Sequence, residues 1–261
     1  MPIVINLYIC VYSYEFKDKI LHTNEGLDKF LTHSIHPIGH IRTPFSEKFG
    51  IPRQGAGLSS ATGVISFTSD IDVTQACEGI DGFSHLWLIF QFHEHLTRGW
   101  SPKVRPPRLG GNKKIGVFAS RSSFRPNQLG MSAVKFIKLE NNLLFVEGVD
   151  MLDGTPIFDI KPYVAYSDSF AQAQSGFAQD TPVKRLDIIY SHQARTDLQN
   201  ALSKHPQLAT LIDSVLGLDP RPAYKQNNTD TKQYYVRLYD YEIEFVVNDN
   251  FAHVNSIKRV E

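Results

Sequence analysis

The sequence predicts a mainly β protein, with an antiparallel barrel or sandwich in residues 34–166 and a small α+β domain in residues 183–261. Three observations predict this arrangement. Short apolar runs bounded by turn residues follow one another through the first region. That region lacks the periodicity of a long helix, whereas the second region mixes helical and strand-like patterns. Many short strands with little helix are typical of antiparallel barrels and sandwiches.

Seven β runs are predicted in the first region. They are Ile35–Ile41, Gly63–Phe67, His85–Phe92, Ile115–Ser120, Ser132–Leu139, Leu143–Val149 and Thr155–Ile160. Asn141-Asn142 and Asp153-Gly154 have the composition of tight turns between strands. One short helix is predicted at Val73–Glu78, with Asp72 or Asp70 as its N-cap.

The composition changes at residues 167–182, SDSFAQAQSGFAQDTP, which are small, polar and weakly patterned. We predict a linker there. The following domain should contain a strand in VKRLDIIY, helices at His192–Lys204 and Gln207–Leu216, and two or three strands around a turn at Asn248–Asn250. Residues 1–33 have no interpretable pattern and are treated as an N-terminal extension of unknown role.

Composition excludes several classes of protein. The chain has 261 residues, 42% of them hydrophobic, which is enough to bury a core. Its two cysteines, Cys10 and Cys77, have no metal-ligand spacing and form no disulfide framework, which favours a reducing compartment. The apolar run Ile3–Tyr12 is too short to span a bilayer and lacks the flanking features of a signal peptide. A cytoplasmic protein without a membrane partner is therefore predicted.

A basic segment, residues 95–139, organises the middle of the chain. It contains no Asp or Glu although the whole chain has a formal charge of zero. Its ten cationic residues are Arg98, Lys103, Arg105, Arg108, Lys113, Lys114, Arg121, Arg125, Lys135 and Lys138. Recurrent Gly and Pro predict loops, and the interleaved Trp100, Phe118 and Phe124 favour a shaped surface for a polyanion over a merely solvated basic face.

Familiar cofactor and metal motifs are absent or incomplete. The sequence has no GxGxxG after a strand and no GxxxxGK[ST], which argues against a Rossmann or P-loop enzyme. His93-Glu94-His95 suggests a metal site, because alternate residues of a strand share one face. Two histidines without a third ligand are too few, so no metal site is predicted.

Six motifs resemble those of one family. They are PIGHIRTPFSEKFGIPRQ at 37–54, GFSHLWLIFQFH at 82–93, WSPKVRPPRLGG at 100–111, GVFASRSSFRPNQLGMS at 116–132, DMLDGTPIFDIKPY at 150–163 and DPRPAY at 219–224. In this order they resemble the TsaA-like, or TrmO, family of tRNA methyltransferases, over about Ile35 to Glu261. The resemblance implies a homodimer whose small β-barrel binds S-adenosylmethionine. It also implies a substrate tRNA, chiefly threonine tRNA, that carries N6-threonylcarbamoyladenosine beside the anticodon and is methylated on that N6.

The family motifs also imply site residues in this chain. Implied cofactor contacts are Pro52, Arg53, Gln54, His93, Glu94, Arg121, Leu129, Leu152, Asp153, Gly154 and Thr155. Arg53 could hold the amino-acid carboxylate through two hydrogen bonds. Relatives often have Gln where this chain has Glu94, which brings a negative charge to the predicted site.

The chemistry leaves the proton acceptor open. The target N6 belongs to a urea-like group, so it is a poor nucleophile but a comparatively acidic N–H, and its attack on a methyl group requires loss of that proton. Asp150, Asp153 and His93 are candidate bases. Arg125 and Arg221 are candidates for the threonyl carboxylate or nearby phosphates, and Lys113 and Lys114 for tRNA phosphates. A non-catalytic RNA-binding module and a methyltransferase of another RNA or a small metabolite remain alternatives.

Overall fold

The computed structural model describes residues 34–55, 57–222, 225–226 and 230–260. Contacts within the chain divide it into a unit that ends at His36 and a second unit, Pro37–Glu261, which contains all the elements below. The predicted extension at residues 1–33 lies outside the described residues.

Within the described residues, six antiparallel strands close a barrel in the order β1-β2-β7-β6-β3-β8. They are β1 (Gly39–Arg42), β2 (Thr62–Phe67), β3 (His85–Gln91), β6 (Leu129–Glu140), β7 (Leu143–Glu147) and β8 (Thr155–Pro162). The mainly β fold is confirmed, and the choice left open between a barrel and a sandwich falls to the barrel. All six strands were predicted, although β1 begins four residues later than its predicted run.

Alternation within the strands explains the barrel core. In β3, Leu86, Leu88 and Phe90 are buried while the intervening residues are more exposed. This is the period of two expected for strands with one buried face. Asn141 and Asn142 have φ of 51° and 59° and join β6 to β7, as their composition predicted.

The connection between β2 and β3 contains the predicted short helix, α1 (Val73–Ala76). The Asp72 side chain accepts a hydrogen bond from the Gln75 amide at 3.1 Å, so Asp72 and not Asp70 is the N-cap. A 3-10 turn at Ile80–Gly82 leads from this helix into β3. All of these elements lie at the barrel end opposite the predicted site.

The β3–β6 connection, residues 92–128, corrects two strand predictions. β4 (Lys103–Val104) pairs with β5 (Ile115–Gly116), and 3-10 turns form at His93–Arg98, Pro107–Leu109 and Val117–Ala119. His93-Glu94-His95 is therefore not a strand, because pairing ends with the Phe92 amide on the Gln128 carbonyl and the His95 amide then bonds back to the Phe92 carbonyl.

The predicted strand Ile115–Ser120 is also wrong beyond Gly116. The Ser120 hydroxyl donates to the Val117 carbonyl at 2.8 Å, and the Ser120 amide donates to that same carbonyl at 3.1 Å. These local hydrogen bonds close a turn where an extended chain was expected.

The C-terminal region is an α+β layer. Its sheet has the order β10-β11-β12-β9, with β9 (Asp187–Tyr190) parallel to its neighbour. The other elements are α2 (Ala165–Asp168), a 3-10 turn at Gly176–Ala178, α3 (His192–Leu202), α4 (Leu208–Gly217), β10 (Asp230–Leu238), β11 (Tyr241–Asn248) and β12 (Phe251–Arg259). The Ser191 hydroxyl caps α3 by accepting from the Ala194 amide at 3.0 Å.

The barrel and the C-terminal layer pack against each other. The Tyr239 amide donates to the Pro44 carbonyl at 2.7 Å, and a Val236 methyl group lies where a side chain on Gly50 would project. One hydrophobic cluster includes buried residues of both sheets. The linker at residues 167–182 stays a prediction. The barrel and the C-terminal layer on either side of it belong to one compact unit, Pro37–Glu261. Across the described residues, no helix is long and apolar enough to cross a membrane.

Candidate active site

The predicted cofactor residues meet at one end of the barrel. Because the strands are antiparallel, β1, β3 and β7 end where β2, β6 and β8 begin. The connections at this end are residues 43–61, 92–128 and 148–154. They carry Pro52, Arg53 and Gln54, then His93, Glu94 and Arg121, then Leu152, Asp153 and Gly154, while Leu129 and Thr155 begin β6 and β8. Strand order therefore gathers residues that are up to about a hundred positions apart in sequence.

Asp153 fixes the 151–155 turn to the end of β1. Its Oδ1 accepts the Thr43 amide at 2.8 Å, and its own amide donates to the Phe45 carbonyl at 2.8 Å. The Thr43 hydroxyl in turn donates to the Met151 carbonyl at 2.9 Å. The Asp153 carboxylate is thus engaged in holding the turn, which makes it a weaker candidate base. Thr43 has no sequence signal for this role, because its partners lie more than a hundred residues away.

The loop that contains Pro52, Arg53 and Gln54 is attached to the barrel through Gly55. A Cβ at Gly55 would lie 2.0 Å from the Gly148 carbonyl oxygen, so the two backbones are in direct contact. The Gly55 amide donates to Asp150 Oδ2 at 3.3 Å. Pro52 is buried at the base of the loop, while Arg53 reaches solvent. The loop therefore presents a cation from a closely packed base.

Asp150 is the most unusual carboxyl group of this site. Burial raises its pKa, against the lowering effect of hydrogen bonds from Ser132 and Gly55 and of the positive charge of Arg121. Its Oδ1 is buried and has no hydrogen-bond partner among the described residues. A buried acceptor without a donor is costly, so this oxygen is suited to a donor that a ligand brings.

The contact with Thr155 favours one tautomer of His93. The Thr155 hydroxyl donates its one proton to the Leu152 carbonyl at 2.7 Å, so its contact of 3.4 Å with His93 Nδ1 requires the imidazole to donate. A neutral His93 then carries its proton on Nδ1 and leaves Nε2 as an acceptor. Sequence reasoning proposed His93 as a base without identifying the group that orients it.

His95 faces a different environment from His93. Its Nε2 lies 3.1 Å from the Ser123 hydroxyl, and its ring packs edge-on against Phe124. Burial and the nearby charges of Lys48 and Arg98 lower the pKa of His95. The two histidines thus contact different residues, Thr155 and Ser123. The described residues contain no group of three or more His, Cys, Asp or Glu side chains that could hold a metal ion.

The predicted arginines have distinct surroundings. Arg121 is exposed, whereas Arg125 Nη1 donates to the carbonyls of Val117 at 3.3 Å and Ser120 at 2.8 Å. Reduced hydration and the charges of Arg108 and Arg185 lower the pKa of Arg53. Arg125 thus holds a turn. Arg53 lies near the positive charges of Arg108 and Arg185, a grouping that the sequence did not predict. Lys113 and Lys114 are exposed, as expected for contacts with phosphate.

Arg221 lies in a setting that the sequence did not predict. Its side chain is 0% exposed, and its Nε and Nη2 donate to Asp219 Oδ1 and Oδ2, both at 2.8 Å. A fully buried guanidinium engaged by a carboxylate has no surface for a threonyl carboxylate or a phosphate. The direct substrate contact expected at Arg221 is therefore not supported in this conformation, and its position indicates a structural role in the 218–222 turn.

A groove of about 390 Å³ lies beside the site but contains none of its predicted residues. It is lined by Gly57, Leu58, Ser59, Ser60, His85, Lys135, Glu147 and Gly148. We therefore assign the chemistry to the loops at the barrel end.

Two family models match the chain in order. The tRNA-methyltransferase O N-terminal domain matches residues 40–169, and the TrmO C-terminal domain matches residues 183–260. Both matches lie within the second compact unit, and the first contains every predicted cofactor residue.

Individual proteins are similar over most of their length. The tRNA (adenine(37)-N6)-methyltransferase of Escherichia coli K12 is 40% identical over 216 residues, which cover 81% of this chain and 92% of that protein. RcsF of Pseudomonas aeruginosa, whose name places it among S-adenosylmethionine-dependent methyltransferases, is 44% identical over 216 residues, or 82% and 93% of the two chains. The crystal structure of TrmO from Pseudomonas aeruginosa matches with a TM-score of 0.75 and 35% identity, covering 88% of this chain and 99% of that chain.

Proposed function

The chain belongs to the TrmO family of tRNA methyltransferases, and we propose that it transfers a methyl group from S-adenosylmethionine to N6 of adenosine 37 in tRNA. The observation that supports this most directly is the convergence of the PRQ loop, His93-Glu94, Arg121 and the 151–155 turn at one barrel end. This substrate assignment follows the relatives' names, and the residues below supply its chemistry.

The residues at the barrel end fit the cofactor's polar groups. Arg53 and Arg121 offer positive charge to the amino-acid carboxylate. The unpartnered Asp150 Oδ1 and the exposed Glu94 offer acceptors to its ammonium and ribose hydroxyl groups. Leu129 and the backbone of residues 152–155 would line the adenine and methionine parts. When bound, the cofactor supplies a methyl group already activated on a positively charged sulfur.

We propose that the target adenosine carries an N6-threonylcarbamoyl group, chiefly in threonine tRNA. That modification makes the N6–H acidic enough for a side chain of ordinary basicity to remove. His93 is the favoured acceptor of this proton, because Thr155 orients its Nδ1–H and leaves Nε2 free to accept. Asp153 is engaged by Thr43, and Asp150 Oδ1 is assigned above to a donor group of the cofactor, so each is less suited to accept the proton of N6.

Positive charge around the site is suited to the tRNA backbone. Lys113 and Lys114 are exposed in the acid-free segment and would contact phosphates. Arg125 still has donor groups beyond the Nη1 atom that holds the turn, and these could reach a phosphate or the threonyl carboxylate. The family resemblance further supports a homodimer and a location in the cytoplasm. Sedimentation of the purified chain would test the homodimer.

Methyl transfer to defined tRNAs tests this proposal. Threonine tRNA is prepared with and without threonylcarbamoylation and incubated with the protein and methyl-labelled S-adenosylmethionine, and nucleosides are analysed by mass spectrometry. We expect N6 methylation of the modified tRNA alone. Equal methylation of both RNAs would refute the assignment of threonylcarbamoyladenosine as the substrate. Binding of tRNA without cofactor binding or turnover would indicate a non-catalytic RNA-binding module. Methylation of another RNA or of a small metabolite would keep the assignment as a methyltransferase but change its substrate.

His93 has its own test in the same assay. His93→Gln keeps a polar side chain but cannot accept the proton as a base, so kcat should fall by about 10²- to 10⁴-fold. Thr155→Val, which removes the acceptor for Nδ1–H, should give a smaller loss. An unchanged kcat in His93→Gln would exclude His93 as the base.

A further inference from the structure

Phe118 is an exposed aromatic side chain on the 3-10 turn Val117–Ala119, and its neighbour Val117 is buried. Its side chain is 76% exposed, whereas the preceding Val117 is 2% exposed. Val117 is also held by an earlier part of the same connection, because its amide donates to the Pro102 carbonyl at 3.0 Å. The turn is therefore fixed at Val117 and projects the neighbouring aromatic ring into solvent.

Several hydrogen bonds hold this turn in place. Arg125 Nη1 donates to the carbonyls of Val117 and Ser120, and the Ser120 hydroxyl donates to the Val117 carbonyl. The guanidinium carbon of Arg125 lies 5.7 Å from the centroid of the Phe118 ring. This is within the range of a cation–π contact. Phe118 is thus held beside a cation, with most of its ring surface open.

The charge around Phe118 indicates what the open ring would bind. Phe118 lies in the segment 95–139, which has no Asp or Glu, and Lys113 and Lys114 of the same connection are exposed. An aromatic ring beside the Arg125 guanidinium, in a connection that also carries exposed lysines, suits a ligand with flat apolar rings and negative charge. Single-stranded nucleic acid has both features, since bases stack on aromatic side chains while phosphates contact Lys and Arg.

We propose that Phe118 is a stacking platform for an unpaired base of the tRNA anticodon loop, with Arg125 fixing the ring beside that base. This inference rests on the proposed function, because it takes tRNA as the substrate. It assigns Phe118 to the binding of a base, and it separates that contact from the phosphate contacts of Lys113 and Lys114.

The test compares Phe118→Leu with Phe118→Trp. Loss of one stacked base should weaken tRNA binding roughly 5- to 100-fold in Phe118→Leu, whereas Phe118→Trp should bind within about threefold of the parent. Because stacking releases no counterions, the dependence of tRNA affinity on salt should keep its parental slope in Phe118→Leu. The affinity for S-adenosylmethionine, measured by calorimetry, should stay unchanged and serves as the folding control.

Each other outcome would overturn the platform. Parental tRNA affinity in Phe118→Leu would show that no base stacks there, and failure of Trp to restore binding would show that the ring has a structural role. Loss of self-association in Phe118→Leu, measured by sedimentation, would assign the ring to a contact between two copies of the chain. If the parent protein itself does not bind tRNA, both the proposed function and the platform are overturned, whereas weaker binding confined to Phe118→Leu leaves the proposed function in place.

Discussion

Replacing Arg221 with Ala should destabilise the folded protein and only secondarily affect catalysis. The substitution removes the two guanidinium donors from Asp219, at 2.8 Å each, and among the described residues leaves its 0% exposed carboxylate with only the backbone amide of residue 221, at 3.3 Å. Breaking one partner of a buried ion pair typically costs about 3–5 kcal/mol. For a chain of this size that corresponds to a fall in Tm of roughly 6–20 °C. The free energy of unfolding should therefore fall by a large fraction of the total.

Urea denaturation followed by circular dichroism measures this change. Arg259→Ala is the matched control, because Arg259 Nε also lies 2.8 Å from a carboxylate oxygen, that of Asp240, but is largely exposed. Asp240 keeps Lys204 and His205 as partners in that variant, so the cost should stay below about 1 kcal/mol. Arg221→Ala combined with Asp219→Asn removes the buried negative charge with a residue type that tolerates the φ of 53° at position 219, and it should regain part of the lost stability.

One result would refute this reasoning. If Arg221→Ala unfolds at the same urea concentration as the parent but loses kcat on threonylcarbamoylated tRNA, Arg221 must contact substrate during turnover. That outcome would restore the sequence-based expectation and imply that the 218–222 turn opens in the working enzyme.

Three further predictions use other contacts of the site. Gly55→Ala should weaken S-adenosylmethionine binding by roughly 10- to 100-fold in calorimetry, because the new Cβ would lie 2.0 Å from a backbone oxygen, whereas Gly82→Ala, in open space, should have no effect. Lys113→Glu with Lys114→Glu should lower the slope of log tRNA affinity against log salt by up to about 2 while cofactor affinity stays constant, and a full parental slope would exclude phosphate contacts there. Asp150→Asn should remove a pH dependence of stability. Burial raises the pKa of Asp150 above 3.8, so folding favours its protonated form. The stability that this preference contributes is complete below that pH and is lost as the pH rises through the folded-state pKa. The difference in urea midpoint, parent minus variant, should therefore fall as the pH rises above about 4, and a constant difference would contradict the shift.

Local patterns in the sequence predicted most of the architecture. Alternation in β3, the Asn141-Asn142 turn and the Asp72 cap depend on residues within a few positions of one another. The acid-free segment is likewise a property of composition. Such features are visible in sequence because their physical causes, side-chain direction and local hydrogen bonding, act over one or two turns of backbone.

The tertiary structure decided which of these residues work together. It brought Gly55 to Asp150 and Thr155 to His93, across 95 and 62 positions respectively. It also buried Arg221, an arginine whose motif alone suggested a ligand contact. The periodicity of a segment reports which face of it is buried, but closure of the barrel determines which loops meet and which charges lose their water. The orientation of His93 and the unpartnered oxygen of Asp150 follow from that closure, whereas Arg221 is buried beside Asp219 in the C-terminal layer.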